Sequence, residues 1–253
     1  ISDLVCKGVK PIFYFISGSG NKRNFSKENL HKISKSLKQE QKKYGIYLCG
    51  GDTTFSNHLS FSITTVGYAN NIVYRNRSKL NDDIYVTGNL GDSFLGLQIL
   101  TKKIKVNKNL KDYFIKNYFQ PNIQLNLAKS LLSFANTSID ISDGLIADLE
   151  KLINKQKLSY AIKENAIPIS RNLRKTVLIK KLIKSNLISM GDDYQILFTA
   201  SPSKSRIITS TSKKLGIKIT NIGKITSGSK KSIIINEKGE QIVIKNKGYI
   251  HQF

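Results

Sequence analysis

Four glycine-containing turns of this chain carry aspartate: Gly50-Gly51-Asp52-Thr53-Thr54, Gly91-Asp92-Ser93, Asp140-Ile141-Ser142-Asp143-Gly144 and Gly191-Asp192-Asp193-Tyr194. They stand beside apolar stretches whose periodicity changes across the turn, which restricts the fold to strands and helices joined at acidic corners. Residues 140–144 are the clearest case. Residues 137–141 read as a strand, and Leu145, Leu149, Leu152 and Ile153 then recur at helical spacing. Strands alternating with helices give an α/β (α+β) protein. Acidic residues are scarce, 17 against 41 basic ones, so carboxylates on tight turns serve some purpose other than solubility. Mg²⁺ takes oxygen ligands and commonly shares them with substrate phosphates, so the turns point to phosphate chemistry.

The other segments fill in the order. Residues 12–17 form a strand. Ser26 caps a helix bearing Leu30, Ile33, Leu37 and Tyr44 on one face, and Gly45 ends it. Residues 46–49 read as a short buried strand running into a turn at Gly50, and 59–68 as another strand. The polar, basic stretch 70–79 marks a domain boundary near 74, dividing 1–74 from 75–253. Beyond it the pattern predicts a strand at 83–87. Helices are expected from about Ser93, over 111–118, from Pro121 to about 134, and over 171–184. Residues 194–200 read as a strand, 203–215 as a helix, and 217–225 and 232–244 as strands.

At 253 residues and 40% hydrophobic, the chain has the composition of a globular protein with a substantial core. No apolar run is long enough to span a bilayer and no signal peptide is visible, so a cytoplasmic location is expected. The sequence begins at Ile1 without an initiator methionine, and the expectation is that a longer protein continues upstream. Cys6 and Cys49 are too few for a disulfide framework and, both in apolar surroundings, read as reduced core thiols. The net charge of +24 admits nucleic acid as a partner. The lysines are nevertheless spread without a stripe of interleaved aromatics, which favours compositional drift of the kind AT-rich coding produces. His31, His58 and His251 show no metal spacing, and neither a P-loop nor a nucleophile elbow is present.

For each acidic turn two readings stand side by side. The carboxylates of Asp140 and Asp143, with the Ser142 hydroxyl, are able to face one point, where they repel unless a cation or proton intervenes; equally, Ser142 or Asp143 caps the helix that follows. Asp52 follows two glycines that let backbone amides approach a phosphate, or it closes an ordinary turn. Asp92 reads as an N-cap. Asp192 and Asp193 form a like-charged pair suited to a cation or cationic ligand, or a solvated turn.

Taken in order, the runs Ser2-Asp3-Leu4 with Gly8, Tyr44-Gly45 through Gly50-Gly51-Asp52-Thr53-Thr54, Tyr85-Val86-Thr87-Gly88-Asn89-Leu90-Gly91-Asp92-Ser93, Ile139-Asp140-Ile141-Ser142-Asp143-Gly144-Leu145, Gly191-Asp192-Asp193-Tyr194-Gln195-Ile196-Leu197-Phe198-Thr199 and Lys247-Gly248-Tyr249-Ile250-His251-Gln252-Phe253 resemble the thiamine-monophosphate kinases. That family sits in a superfamily with aminoimidazole ribonucleotide synthetase and selenophosphate synthetase. The resemblance implies a two-domain fold of the aminoimidazole ribonucleotide synthetase type, with the first domain (ATP-binding and dimerising) incomplete in residues 1–74. It implies ATP- and Mg²⁺-dependent phosphorylation of thiamine monophosphate to thiamine diphosphate by direct in-line transfer, in a homodimer. It carries a metal role onto Asp3, Asp52, Asp140 and Asp143, of which Asp140 and Asp143 are the catalytic pair. An ATP role falls on Tyr44, Gly51, Asp52, Arg75 and Ser142, and a substrate role on Asp192 and Tyr249. A cationic thiazolium beside a carboxylate and an aromatic ring makes physical sense.

The chain departs from the family where Met190-Gly191-Asp192-Asp193 replaces Gly-Gly-Glu-Asp, shortening the substrate carboxylate by a methylene. Tyr118-Phe119-Gln120-Pro121 replaces an arginine-containing stretch, and the tail is one residue longer. The family's Gly-Asp-Asp metal motif, Ser-Thr-Asp loop and substrate-contacting histidine lie upstream of Ile1, so the 253-residue chain alone is expected to show little or no turnover. Two other readings are weighed: another ATP-dependent enzyme of the superfamily, such as a selenophosphate synthetase, and a basic nucleic-acid-binding protein on a degenerate kinase-like fold. A hydrogenase-maturation relative would end in a reactive cysteine, which this tail lacks.

Overall fold

The computed structural model of the chain describes residues 1–244 and 246–249 and is a mixed α/β structure built on two sheets. The first part contains α1 (Ser2–Cys6), β1 (Phe13–Gly20), α2 (Lys27–Tyr44), β2 (Tyr47–Phe55) and β3 (Ser60–Val66). The second runs through β4 (Asp83–Thr87), α3 (Asp92–Leu100), α4 (Lys108–Phe119), α5 (Ala128–Leu131), β5 (Thr137–Asp140) and α6 (Leu145–Ile153). It continues with β6 (Leu158–Lys163), α7 (Arg171–Lys180), α8 (Lys184–Ile188), β7 (Ile196–Ala200), α9 (Ser205–Leu215), β8 (Ile219–Ser227) and β9 (Ile233–Ile235).

In the small sheet β1 is central, with β2 parallel and β3 antiparallel to it. A parallel pair needs a long crossover, and α2 supplies it. Ser26 Oγ accepts the Asn29 amide at 3.3 Å, and Gly45 ends the helix in the left-handed conformation at φ 64°. Tyr14, Tyr44 and Ile46 pack on one side. Tyr47, Leu48, Phe55, Phe61 and Ile63 stay exposed, Phe55 by 79%.

Two expectations fail in this sheet. Residues 46–49 are not a buried strand: only Ile46 is buried, and Cys49 is an exposed thiol, unlike the buried Cys6. The glycines do not make a turn either. Gly50 and Gly51 lie within β2, opposite an irregularity of register between Tyr14 and Phe15. A Cβ on Gly51 would stand 1.8 Å from the Ile16 carbonyl oxygen, so glycine is required there for the approach of one strand to another.

The large sheet has the order β5-β7-β4-β8-β6-β9, antiparallel throughout except for β6 with β9. Side chains alternate across it. Ile84, Val86 and Leu197 face a core shared with Leu95 and Ile99 of α3 and Leu145, Leu149 and Leu152 of α6. Tyr85, Ile196, Phe198 and Ala200 face a second core that takes in Val5 and Cys6 of α1, Leu131 of α5 and Ile208 of α9. Helix α1 docks on the edge strand β5: Ser138 Oγ donates to the Cys6 carbonyl, and Lys7 Nζ donates to the Ser138 carbonyl.

Other differences from the expected elements have local causes. The helix expected from Pro121 shrinks to α5 with one 3₁₀ turn before it, because the buried Gln124 side chain is spent on the Asn122 carbonyl and on Gln195. The helix expected over 171–184 ends at Lys180, where Lys181 turns left-handed, and α8 follows separately. Strand β6 was not anticipated at all. Asp92 is not an N-cap: Gly91 occupies that position, and the buried Asp92 carboxylate instead accepts Ser170 Oγ at 2.7 Å and Tyr113 Oη at 2.9 Å.

The α3 terminus is instead served from far along the chain. Asp193 accepts the Gly91 amide at 2.8 Å and is buried. Burial pushes its pKa up to about 8, against the Gly91 and Ser93 amides and with the Asp92 and Asp192 charges adding to the rise. Between the ordinary aspartate pKa and about 8, the folded chain holds a proton that the unfolded chain has released. This group therefore stabilises the fold at acid pH, and the contribution fades as pH rises through the folded value.

Two outcomes follow. Gly51→Ala should lose about 2 kcal/mol of stability, read as a lowered denaturation midpoint; an unchanged midpoint would show that β2 yields without cost. Asp193→Asn, which stays neutral, should flatten the fall in thermal stability across roughly pH 4 to 8. A variant whose pH profile parallels the parent's would remove Asp193 as its source.

Candidate active site

Strand β5 delivers Asp140 to the rim of the large sheet, and the chain then turns sharply into α6. The turn is held by Asp148, whose Oδ2 accepts the amides of Ser142 (2.9 Å), Asp143 (2.9 Å) and Gly144 (3.1 Å). The outward-facing carbonyls are taken by other segments. Asp192 N reaches Ser142 O, and Tyr194 N reaches Ile141 O, both at 2.9 Å. Tyr249 N reaches Asp143 O at 2.8 Å, and Lys247 O takes the Ala147 amide at 2.9 Å. Contact between these loops is backbone on backbone. A Cβ on Gly144 would lie 1.9 Å from Ser189 O, and one on Gly191 would lie 2.1 Å from Ser142 O; both glycines have positive φ.

Residues 192 and 194 are non-glycine residues at positive φ, 62° and 50°. Such strain persists only where surroundings over-determine it. Here Asp193 is anchored to α3 on one side. On the other, the Gln195 side chain accepts Thr87 Oγ1 at 2.8 Å and Gln124 Nε2 at 3.0 Å, and donates to Asn122 O at 2.9 Å.

Two clefts open beside this corner. One, of about 820 Å³, is lined by Ser142, Asp143, Asp192 and the aromatic rings of Tyr118, Tyr194 and Tyr249, among others. The other, of about 430 Å³, is more apolar; Ser2, Tyr14, Tyr44, Ile46 and Ile123 line it, and so does Tyr194.

The aspartates expected to act together are divided. Ser2 Oγ donates to Asp140 at 2.8 Å, which brings α1 and its Asp3 against β5. The Asp140 pKa is raised by burial first and by the Asp3 charge next. Lys7 and Arg75 stand in the same neighbourhood; burial lowers the Lys7 pKa, Arg75 lowers it further, and Asp140 and Asp3 oppose the drop. Asp143 belongs to the other group. It is ion-paired with Lys151, which also bonds Asp148 Oδ1 at 3.1 Å, and its charge adds to the burial that raises the Asp192 pKa. Asp52 sits apart on the exposed strand β2, its Oδ1 accepting the Thr53 amide at 2.8 Å, and neither it nor Gly51 lines either cleft. Among the described residues no three His, Cys, Asp or Glu side chains converge on one point, so Asp3, Asp52, Asp140 and Asp143 do not form a single cluster. Asp3 and Asp140, of which Asp140 is buried, are like charges that act on one another, an arrangement that a cation would relieve.

Tyr44 ends α2 and is nearly buried, with the Lys43 ammonium 4.7 Å from its ring centroid. His251 and the rest of residues 250–253 lie outside the described residues. Of the residues that hold the corner, Asp148, Gln195 and Lys7 were not singled out individually from sequence, and Asp193, read as half of an acidic pair or part of a solvated turn, is instead buried and bonded to the Gly91 amide. Asp148 left a signal: it falls among Leu145, Leu149 and Leu152 on the apolar face of α6, where an unpaired carboxylate does not belong.

Known proteins resemble this chain in sequence and in fold. Residues 1–69 match the family model "AIR synthase related protein, N-terminal domain". A thiamine-monophosphate kinase of Buchnera aphidicola subsp. Schizaphis graminum is 37% identical over 256 residues, covering 99% of this chain and 77% of the relative. The solved structure of thiamine-monophosphate kinase from Stenotrophomonas maltophilia K279a superposes with a TM-score of 0.83 at 25% identity, covering 95% of this chain and 76% of that one. A structure described as AaThiL complexed with AMPPCP and TMP shares the fold at a TM-score of 0.84 and 24% identity, covering 99% and 77%. With the ordered acidic turns, the two-sheet architecture and an identity of this level over nearly all its residues, the chain belongs to the thiamine-monophosphate kinase family.

Proposed function

We propose that the full-length protein transfers the γ-phosphoryl group of ATP to thiamine monophosphate, forming thiamine diphosphate and ADP. The observation that carries this reading is a cleft where Asp143 and Asp192 meet the rings of Tyr118, Tyr194 and Tyr249, with the charge of Asp140, itself influenced by Asp3, acting on Tyr194 in its wall. A thiazolium cation is attracted both by carboxylates and by ring faces, and Asp143, Asp192, Tyr118, Tyr194 and Tyr249 offer both. Phosphoryl transfer asks for positioning and charge neutralisation rather than a covalent nucleophile. The related AaThiL structure with AMPPCP and TMP supports this pairing of ligands.

In this reading Asp140 and Asp143 are the catalytic aspartates, and Asp3 and Asp140 would hold Mg²⁺. Bound Mg²⁺ would neutralise charge on the phosphates. Arg75 and Lys7, near that pair, carry positive charge toward the polyphosphate. Asp143, now paired with Lys151, would be available to a metal only when released from that lysine, and Asp52 and Gly51 would act from β2 on the nucleotide side. Tyr44 contributes the apolar wall of the smaller cleft, Ser142 binds ATP, and Asp192 and Tyr249 hold the thiamine end. We divide the chain at 74 into an N-terminal nucleotide and dimerisation part and a C-terminal part. The exposed free thiol of Cys49 fits a reducing cytoplasm. Among the described residues no helix is long and apolar enough to cross a membrane.

Phe55, Phe61 and Ile63 are exposed together on one face of the small sheet, which supports a homodimer through that sheet, since contiguous exposed apolar surface marks association.

Incubating the full-length protein with ATP, Mg²⁺ and thiamine monophosphate should yield thiamine diphosphate. Asp140→Asn should be slower by about a hundredfold or more. No product from the parent, or undiminished turnover in the variant, would sink the assignment. Sedimentation should show a dimer that Phe55→Lys shifts toward monomer, and a parent that stays monomeric at all concentrations would remove the dimer.

A further inference from the structure

Tyr194 stands out on three independent observations. It lines both the 820 Å³ cleft and the 430 Å³ cleft, so its side chain is a wall common to the two. Its backbone is at φ 50°, locked by the amide bond to Ile141 O and by the anchors of its neighbours Asp193 and Gln195. Its hydroxyl lies beside the Asp192 carboxylate, and the Asp140 charge also acts on it. A tyrosine that lines two clefts and sits beside a carboxylate of one of them is placed where two ligands have to meet.

From this placement, and resting on the phosphotransferase reading above, we propose that Tyr194 is a substrate-contacting residue: its ring partitions the nucleotide-side cleft from the acceptor cleft, and its hydroxyl orients the Asp192 carboxylate toward the cationic acceptor. The two functions separate by chemistry. The ring excludes water from the junction and keeps the acceptor on one side of the transferring phosphoryl. The hydroxyl donates to one carboxylate oxygen, leaving the other aimed into the acceptor cleft. The strained backbone fixes the ring direction, as a site built on positioning requires. The shortened side chain of Asp192 reaches less far than a glutamate, which makes its orientation by a fixed donor matter more.

Two variants of the full-length protein test this. Tyr194→Phe keeps the wall and removes the donor. It should melt as the parent does, raise KM for thiamine monophosphate about tenfold, and leave KM for ATP within about twofold. Tyr194→Ala removes the wall as well. It should add acceptor-independent hydrolysis of ATP, in which the bond from the γ-phosphorus to ADP breaks, water oxygen takes its place, and ADP, phosphate and a proton are released. A parent that phosphorylates thiamine monophosphate, beside a Tyr194→Phe variant with both KM values unmoved or both raised equally, overturns the assignment alone. A parent that does not phosphorylate thiamine monophosphate overturns the assignment and the phosphotransferase reading together.

Discussion

A single carboxylate organises the corner on which the candidate site is built. Asp148 accepts three successive amides, from Ser142 to Gly144, and so sets the direction in which the carbonyls of the same turn point. Those carbonyls receive Asp192, Tyr194 and Tyr249, drawn from two other stretches of chain. Leaving a buried amide without its acceptor costs about 1–3 kcal/mol, so the three bonds together are a large share of what a domain of this size has to spare. Burial raises the Asp148 pKa, while Lys151 and the amides oppose the rise; the ammonium that steadies Asp148 also pairs with Asp143. Structure and chemistry therefore share one ion network.

The strongly basic composition acquires a different meaning in this light. Asp82, Asp83, Asp92, Asp140, Asp148 and Asp193 are all buried, a sizeable part of the 17 acidic residues present. Asp82 is typical: it accepts from Lys79 N, Asn136 Nδ2 and Thr199 Oγ1, each within 3.0 Å. Scarce carboxylates in this chain are acceptors for interior amides and hydroxyls first.

How far the sequence was legible depended on the range of the interaction. Elements defined by local periodicity and caps, such as α2 with Ser26 and Gly45 or α6 with its leucine stripe, were readable because their determinants lie within a few residues. The motifs that carry the family likeness were readable for the same reason. Elements decided by tertiary partners were not. Gln124 breaks the helix expected after Pro121 through a bond to Gln195, and Asp193 replaces Asp92 at the α3 terminus from about a hundred residues away. The glycines at 50 and 51 were recognised, but their reason was not: they admit the Ile16 backbone, a partner that only the fold supplies. Likewise the division of the aspartates into two groups depends on where Ser2 and Lys151 reach, and no spacing in the sequence encodes it.

The stitching of residues 247–249 against the Asp143 turn and Ala147 bears on biosynthesis. Gly248 packs so closely there that a Cβ would come within 2.4 Å of the Ala147 Cβ. Residues separated by about a hundred positions thus complete one wall of the larger cleft. During translation the large sheet has all its strands before that wall exists, because β9 precedes it. A ribosome-bound chain would carry a nearly finished large-sheet core while the larger cleft still lacked this wall, so completion of the cleft follows collapse rather than accompanying it.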